Sequence, residues 1–201
     1  MVIRYIVVAI AAYLIGSISP SILISWSFKK DVRNYGSGNA GATNMVRNFG
    51  WVYGLMTFFL DILKGFLCSY LGKLFAGETG AVIGAFFVVI GHMFPLYYKF
   101  KGGKGVSTSM GTMLTFAVVP SLVVYLIAIV VVAITGIVSV GSLLGFVLES
   151  IMICLIYPSL TGILPKILIL VLTVLIFWAH RENIKRLIQG KENKLKVRSK
   201  K

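Results

Sequence analysis

Long uninterrupted apolar blocks limit the structures that this sequence can form. Hydrophobic residues occupy 58% of the 201 positions and charged residues only 13%, so the chain has more apolar surface than a soluble core of this size can bury. The blocks are continuous runs without regular alternation of apolar and polar residues, which favours helices over the strands of a membrane barrel. The sequence therefore predicts an all-α, polytopic integral membrane protein.

The first half of the chain contains three blocks that are expected to cross the membrane. They cover about residues 5–28, 51–72 and 81–98, and the first contains Pro20, which either bends this span or is tolerated near its end. The apolar run from Tyr5 is too long for the core of a signal peptide and lacks a small-residue cleavage site. We interpret it as a retained span.

The basic residues identify the expected cytoplasmic side. Lys and Arg number 20 against six Asp and Glu, a balance that in a soluble protein would suggest nucleic acid. Here they concentrate beside the apolar blocks, in residues 29–47, 99–104 and 181–201, which is typical of loops retained in the cytoplasm. We expect an N-terminus outside, a cytoplasmic C-terminus and no nucleic-acid partner.

This orientation requires an even number of crossings between residues 107 and 179. Three apolar blocks are visible there, residues 107–135, 137–157 and 163–179. The first is long enough to divide at Pro120 into two short spans. We therefore predict seven spans in total.

A first polar segment, residues 36–47, combines small, hydroxyl and amide residues and ends at Arg47. Such a run suits a backbone nest that binds phosphate or another oxyanion, with the arginine as a bidentate clamp. The alternative is a flexible cytoplasmic turn. The candidate ligand-binding residues of this segment are Ser37, Gly38, Asn39, Gly41, Thr43 and Asn44.

A second polar segment, residues 99–109, holds three lysines and three glycines. Glycines let backbone N–H groups approach an anion, and the lysines supply charge, so we predict a phosphate cradle. It is not a Walker A loop, because Tyr98 and Gly105 replace the required glycine and hydroxyl residue. The alternative is a basic loop that only sets topology. The candidate residues are Lys101, Gly102, Gly103, Lys104, Gly105, Ser107 and Thr108, and residues 107–109 are expected to cap the next helix.

A third polar segment, residues 180–192, follows the last span. In a helix, His180 and Asn183 share one face, which makes both candidate catalytic residues, supported by Arg181 and Glu182. The alternative is a basic helix that binds anionic lipid, which accounts well for Lys185 and the other cations.

Several ionisable residues lie within the spans. Asp61 and Lys64, three positions apart, are expected to pair, in either a functional or a structural role. His92 is a supporting site residue or a packing histidine. Glu149 has no cation nearby in sequence, so it is either protonated or paired with Lys64 from a distance. Cys68 and Cys154 have no partners at metal-ligand spacing, and we expect no metal, cofactor or disulfide.

In this order, the segments resemble the bacterial acyl-phosphate:glycerol-3-phosphate acyltransferases, the PlsY family. The resemblance extends from the first span to Glu192, which suggests a single domain over residues 1–192 and a basic tail over residues 193–201. It rests on Ser37-Gly38-Asn39, Gly41-Ala42-Thr43-Asn44, Arg47, Asp61-x-x-Lys64-Gly65, Gly91-His92, Pro95, Lys101-Gly102-Gly103-Lys104-Gly105-Val106, His180-Arg181-x-Asn183-Ile184, Arg186-Leu187, Gly190 and Glu192.

The resemblance implies transfer of a fatty acyl group from acyl-phosphate to the 1-hydroxyl of glycerol 3-phosphate, giving lysophosphatidic acid and phosphate. It implies an active site at the cytoplasmic face of the bacterial inner membrane, and a peripheral acyl-phosphate-forming enzyme as a partner. The His-x4-Asp signature of acyl-CoA-dependent enzymes is absent, since Tyr97 and Lys185 stand where its aspartate would be.

The residues suggest direct attack by the glycerol hydroxyl, because acyl-phosphate is already activated and no Ser-His-Asp set is apparent. Arg47, Lys104 and His180 or Asn183 would orient the phosphates. The proton would pass to His180 or, as the resemblance to the family implies, to the leaving phosphate. An organophosphate or anion permease is the alternative function. Permeases tend to place such groups near the membrane midplane and to contain internal repeats.

Overall fold

The computed structural model describes residues 1–158 and 161–195, and the regular structure in this part of the chain is helical, without β-strands. This confirms the all-α prediction. The chain forms two compact units, residues 1–112 and 113–195. The helices are α1 (Val2–Ser17), α2 (Pro20–Ser27), α3 (Ala42–Phe49), α4 (Trp51–Met93), α5 (Val106–Met113), α6 (Val118–Thr135), α7 (Val138–Ile151), α8 (Ile163–Ala179) and α9 (Arg181–Ile188).

The first span is broken just before its proline. α1 ends at Ser17 and α2 begins at Pro20, where the missing N–H of proline costs no helical hydrogen bond. Together the two helices form a 26-residue apolar stretch. Of the two expectations for Pro20, the structure shows a break in the helix just before it, which leaves the Ile18 carbonyl, between the two helices, available to other donors.

α4 contains two antiparallel helices. It has 43 residues, which would extend about 65 Å if straight, more than twice the thickness of the hydrocarbon core. Non-helical backbone at Ala76 and Gly77 reverses the chain, so that the Ser69 hydroxyl donates to the Ala81 carbonyl at 3.3 Å. The two halves correspond to the second and third predicted blocks.

The block at residues 107–135 is divided, but not at Pro120. The break lies between α5, which ends at Met113, and α6, which begins at Val118. The expected break at Pro120 is therefore wrong, because Pro120 lies in the first turn of α6, where proline is well tolerated. α5 has only eight residues, about 12 Å, whereas α6 has 18.

The second unit is a series of antiparallel helices. Gly136 (φ 70°) reverses the chain between α6 and α7, and the Ser150 and Thr173 hydroxyls join α7 to α8 at 3.0 Å. α7 continues into a π-helix at Met152–Ile156. The Leu195 N–H donates to the Gly136 carbonyl at 2.7 Å, which brings the end of the described chain to the α6–α7 turn.

Among the described residues, four helical stretches are long and apolar enough to cross a membrane, or five if α8 and α9, which meet at a bend of 61°, count as one. One of these stretches is the 48-residue segment Trp51–Tyr98, which contains the reversal in α4. The seven predicted spans remain a prediction.

Candidate active site

The first polar segment forms a loop around the side chain of Asn44. Gly36 and Gly38 adopt left-handed backbone, with φ of 58° and 70°, and the Asn44 side chain accepts the Ser37 N–H at 3.2 Å. The Asn44 amide nitrogen donates at 2.9 to 3.1 Å to the backbone carbonyls of Val32, Tyr35 and Asn39. Asn44 is only 1% exposed. Its amide therefore shapes the loop from inside, although the sequence suggested it as a phosphate donor.

The other predicted donors of this segment are more accessible. Ser37 and Gly38 are exposed, and Asn39 and Thr43 are half-buried. Arg47 is half-buried in the last turn of α3. Gly41 precedes α3, and its carbonyl accepts the first N–H groups of the helix. Hydroxyl, amide and guanidinium groups thus remain near the surface of one loop–helix unit.

The second polar segment follows a backbone path that few residues adopt. Lys99 and Phe100 have φ of 57° and 58°, and Gly105 has φ of 85°. Left-handed backbone in non-glycine residues carries strain, which the surrounding structure must offset. We name residues 99–105 the lysine loop.

Gly102 and Gly103 pack too closely against His92 for any larger residue. A Cβ on Gly102 would lie 2.1 Å from the His92 carbonyl oxygen, and one on Gly103 would lie 2.1 Å from His92 Nε2. The Gly103 N–H donates to the His92 carbonyl at 3.1 Å, and the Ala40 N–H donates to the Gly102 carbonyl at 3.4 Å. The structure therefore brings the first two predicted segments together in the first unit.

The lysine loop leads directly into α5. Lys104 is half-buried and Lys101 exposed. The Gly105 carbonyl accepts the Ser109 N–H at 2.8 Å, so Gly105, and not residues 107–109, occupies the capping position. Thr108, a predicted donor, is fully buried, whereas Ser107 keeps partial exposure.

Arg33 supports the start of the lysine loop and was not recognised from the sequence. Its guanidinium donates to the Tyr98 carbonyl at 2.9 Å and to both carboxylate oxygens of Asp31 at 2.7 to 3.2 Å. The hydrogen bonds from Arg33 hold the pKa of Asp31 below its ordinary value. The sequence showed only another basic residue in a basic segment.

Asp61, Lys64 and His92 form a buried cluster. Lys64 Nζ lies 2.8 Å from Asp61 Oδ1 and 3.0 Å from His92 Nδ1, which itself lies 3.2 Å from the same Asp61 oxygen. The predicted Asp61–Lys64 pair is confirmed. All three side chains are buried, and their polar atoms contact one another and, for Lys64, the backbone carbonyls of Gly16 and Ile18.

The third polar segment lies in the second unit, where His180 is 3% exposed between α8 and α9. Its Nδ1 lies 2.8 Å from the Ile176 carbonyl oxygen, which can only accept, so Nδ1 carries a proton. In the neutral ring the lone pair is therefore on Nε2. The ring has the tautomer that lets Nε2 act as an acceptor or base.

Glu192 organises the rest of this segment. One carboxylate oxygen accepts from the Asn183 amide at 2.6 Å and from the Ser139 hydroxyl at 3.1 Å, while the other lies 2.7 Å from Arg186 Nε. Burial raises the pKa of Glu192, but the hydrogen bonds from Asn183, Arg186 and Ser139 outweigh it and lower the pKa below its ordinary value. From the sequence, Glu192 was recognised only as one of the residues that carry the resemblance, and Ser139 was not recognised because it has no local sequence signal.

Arg181 and Glu182 point to the surface. Arg181 stacks on the Trp178 ring, 4.6 Å from its centroid, and donates to the Trp178 carbonyl at 3.1 Å. Glu182 pairs with Lys185 at 3.2 Å, with both side chains more than half exposed. These contacts are typical of a solvated helix face and provide no support for a catalytic role.

Comparison with known sequences and structures establishes the family. The sequence profile of the family described as glycerol-3-phosphate acyltransferase matches residues 6–190. This chain belongs to that family. The match includes all three polar segments up to Gly190 and the spans between them.

Curated relatives and solved structures agree with this assignment. The chain is 45% identical to the glycerol-3-phosphate acyltransferase of Finegoldia magna and 43% identical to that of Thermoanaerobacter pseudethanolicus, over 94% of this chain and 96% and 95% of theirs. It also resembles crystal structures of PlsY, described as an integral membrane glycerol 3-phosphate acyltransferase. The glycerol 3-phosphate form matches with a TM-score of 0.90 and 32% identity over 96% of both chains. The lysophosphatidic acid form matches with a TM-score of 0.86 and 32% identity over 94% of both chains.

Family membership decides between the functions that the sequence left open. The family consists of acyltransferases, and the matched structures are integral membrane enzymes. The chain is therefore a membrane acyltransferase, and the permease alternative is not favoured.

Glu149, for which the sequence left two explanations open, accepts a hydrogen bond of 2.5 Å from the Ser121 hydroxyl, which joins α6 to α7.

Within residues 1–158 and 161–195, no group of three or more His, Cys, Asp or Glu side chains is arranged to hold a metal ion.

Proposed function

We propose that this enzyme transfers a fatty acyl group from acyl-phosphate to the 1-hydroxyl of glycerol 3-phosphate, giving lysophosphatidic acid and inorganic phosphate. The observation that carries the proposal is the joining of the residue 36–41 loop to the lysine loop by the Ala40–Gly102 hydrogen bond, in a chain of this family. Two glycine-rich loops flanked by Arg47 and Lys104 suit a phosphate ligand. Glycerol 3-phosphate and lysophosphatidic acid each have a phosphate group.

In the first unit, Lys104, Arg47 and the accessible donors would bind phosphate. We assign direct side-chain contacts to Ser37, Asn39, Thr43, Lys101 and Ser107. Backbone contacts are assigned to five glycines: Gly38, Gly41, Gly102, Gly103 and Gly105. Asn44 receives a supporting role because its side chain is hydrogen-bonded within its own loop, and Thr108 because it packs against Gly65 of α4. This is a revision of the direct contacts that the sequence suggested for these two residues.

In the second unit, His180 and Asn183 would act on the reacting groups. The Nδ1–H of His180 is donated to Ile176, so Nε2 of the neutral ring can accept the proton of the attacking hydroxyl. Glu192 fixes the Asn183 amide at 2.6 Å, which orients a donor at little entropic cost at the moment of reaction. Arg181 and Glu182 would have no direct role.

The chemistry needs no covalent acyl-enzyme. The glycerol oxygen attacks the acyl carbonyl carbon, a new ester bond forms, and the bond from that carbon to the phosphate oxygen breaks. The hydroxyl proton passes to His180 Nε2 or to the departing phosphate. Cationic and N–H groups near the reacting centre would stabilise the negative charge that develops on the carbonyl oxygen.

The decisive experiment uses the purified protein in detergent with acyl-phosphate and labelled glycerol 3-phosphate. We expect labelled lysophosphatidic acid and one equivalent of phosphate. A parallel reaction with acyl-CoA should give no product. Product from acyl-CoA alone would overturn the proposed donor, and no product from acyl-phosphates of several chain lengths would overturn the proposed reaction.

Lys104 tests the phosphate role of the lysine loop. Lys104→Ala removes a cation from the loop, so we expect KM to rise about tenfold or more for glycerol 3-phosphate, acyl-phosphate or both. Steady-state kinetics with each substrate varied in turn measures the change. Lys73→Ala, an exposed lysine in the outer part of α4, is the matched control, and unchanged KM values for Lys104→Ala would contradict the phosphate role.

We also propose seven spans, an outside N-terminus and a cytoplasmic active site in the bacterial inner membrane. The distribution of Lys and Arg supports this orientation. A cytoplasmic site would receive acyl-phosphate from a peripheral enzyme that forms it. The proposed catalytic domain covers residues 1–192, and residues 193–201 form a basic tail.

A further inference from the structure

The Asp61–Lys64–His92 cluster is buried but lies directly beneath the lysine loop. The charged side chains of Asp61 and Lys64 are 2% and 8% exposed, and removing two charges from water is costly even when they pair. Apolar side chains could hold two helices together without that cost. The cluster therefore calls for an explanation beyond helix packing.

Lys64 connects three parts of the first unit. Besides Asp61, its ammonium contacts the carbonyl oxygens of Gly16 at 3.2 Å and Ile18 at 2.9 Å, at the break between α1 and α2. These three groups can only accept, and an ammonium has three protons to donate. His92 Nδ1 is then left to donate to the same Asp61 oxygen, 3.2 Å away, which fixes the plane of the imidazole ring.

The oriented ring supports the lysine loop on its other edge. Gly103 lies so close to His92 Nε2 that a methyl group on Gly103 would be 2.1 Å from it, and the His92 carbonyl binds the Gly103 N–H. Next to Lys64, Gly65 packs equally closely against the Thr108 carbonyl in α5. The lysine loop therefore contacts the cluster through His92. It continues into α5, which packs against Gly65, the residue after Lys64 in α4.

We propose that Asp61, Lys64 and His92 are positioning residues that fix the backbone of Gly102 and Gly103, and through it Lys104, for the phosphate of one substrate. This inference rests on the phosphate role proposed for the lysine loop. The three side chains act through the loop and do not touch the substrate. Their loss should therefore weaken binding of that phosphate more than it weakens the fold.

The first test compares charge removal with a matched structural change. The double variant Asp61→Asn/Lys64→Met removes both charges together, so no unpaired charge remains. The control is Ser69→Ala, which removes the buried hydrogen bond from Ser69 to Ala81 in the same helix, away from the loop. Both variants are assayed for melting temperature in detergent and for KM of each substrate, beside Lys104→Ala.

We expect the double variant to raise KM at least fivefold for the substrate that Lys104→Ala affects most, and less than twofold for the other. Ser69→Ala should lower the melting temperature without that selective change in KM. If Lys104→Ala alters neither KM, the phosphate role of the loop fails and the inference fails with it. If Lys104→Ala has its effect and the double variant loses only stability, the inference alone is overturned.

A second test applies even where the double variant does not fold. Gly103→Ala should raise the same KM at least tenfold, because its methyl group would displace the loop from His92 Nε2. His92→Asn removes that edge of the ring but keeps a nitrogen near the position of Nδ1. In the His92→Asn background we expect Gly103→Ala to raise KM by a smaller factor than in the wild type, the remaining effect coming from the Ala40 carbonyl oxygen, which lies 2.9 Å from the same methyl position. Equal factors in the two backgrounds would overturn the proposed contact between loop and cluster.

Discussion

At the scale of single residues, Glu192 shows how one carboxylate can order a catalytic segment. Its two carboxylate oxygens accept hydrogen bonds from Asn183, Ser139 and Arg186 at 2.6 to 3.1 Å. Asn183 and Arg186 lie on α9 and Ser139 lies at the start of α7, whereas Glu192 itself lies in the polar chain after α9. The fixed position of the Asn183 amide therefore depends on a residue nine positions later.

Glu192→Gln should reduce stability in a pH-dependent way. The pKa of Glu192 is below its ordinary value of 4.5, so its stabilising effect is present above about pH 4.5 and is lost as the pH falls through the lowered pKa. At pH 7 we expect the variant to melt about 2–4 °C lower, because it loses a charged hydrogen bond to the partly solvated Arg186.

The difference between the two proteins should shrink as the pH falls below 4.5 and through the lowered pKa of Glu192, since the wild-type carboxylate becomes protonated there. Melting in detergent between about pH 2 and pH 8 measures this difference. Glu182→Gln, which alters only an exposed pair, is the control. A difference that stays constant across the range would contradict the stabilising role of the charge.

His180→Ala should lower kcat about 100-fold or more, because Nε2 of the neutral ring is the proposed proton acceptor. KM for both substrates should change less than kcat. Rapid-mixing or steady-state assays under saturating substrate provide the measurement. Retention of most turnover would instead assign proton removal to the leaving phosphate.

At the scale of helices, close approach depends on glycine. Gly65 in α4 lies against the Thr108 carbonyl of α5, where a Cβ would be 2.1 Å away, whereas the space beside Gly145 in α7 would place a Cβ 3.4 Å from the nearest atom. Small residues of this kind let membrane helices pack backbone to backbone. The same substitution should therefore have opposite effects at the two positions.

Gly65→Ala should destabilise the protein by about 1–3 kcal/mol, because the methyl group forces α4 and α5 apart. Gly145→Ala should be neutral or stabilising by up to about 1 kcal/mol, since alanine loses less entropy in a helix. Thermal or denaturant unfolding in detergent compares the two. Equal destabilisation would contradict the close α4–α5 contact.

The helices also show what could be predicted from the sequence. The apolar runs predicted the helices, and Pro20 indicated the break between α1 and α2. Both could be read from the sequence because the length of an apolar run and the geometry of proline act locally. Pro120 was misleading, because proline also suits the first turn of a helix and the sequence alone did not reveal where α6 begins. Asn44, Ser139 and Glu192 acquire their contacts from residues distant in sequence or on other elements, so their residue types alone could not define their roles.

At the scale of the whole molecule, the number of membrane crossings depends on α5. The reversal at Ala76 and Gly77 divides α4 into two helices, which correspond to two of the predicted spans, and the α6–α7 turn at Gly136 contacts Leu195. α5 is about 12 Å long, less than half of the roughly 30 Å hydrocarbon core. Seven spans therefore require α5 and the residues after it to complete a crossing in locally thinned or tilted surroundings.

The number of crossings can be measured by labelling single cysteine substitutions. The chain has only two cysteines, Cys68 and Cys154, and their replacement by alanine gives a cysteine-free background that must retain acyltransferase activity. New cysteines are then placed at exposed positions in four connecting segments, Lys30, Glu78, Gly162 and Lys191. A membrane-impermeant thiol reagent is applied to intact spheroplasts and, in parallel, to permeabilised ones.

With seven spans, cysteines at Glu78 and Gly162 should react in intact spheroplasts, whereas those at Lys30 and Lys191 should react only after permeabilisation. The reason is that basic loops stay in the cytoplasm and each span reverses the side. If α5 does not complete a crossing, the chain has six spans, and the pattern at Gly162 and Lys191 is exchanged while that at Lys30 and Glu78 is unchanged. Labelling of the cysteine at position 191 in intact spheroplasts would therefore overturn the seven-span topology. It would also place His180 on the membrane side opposite the lysine loop, which is incompatible with a single cytoplasmic active site.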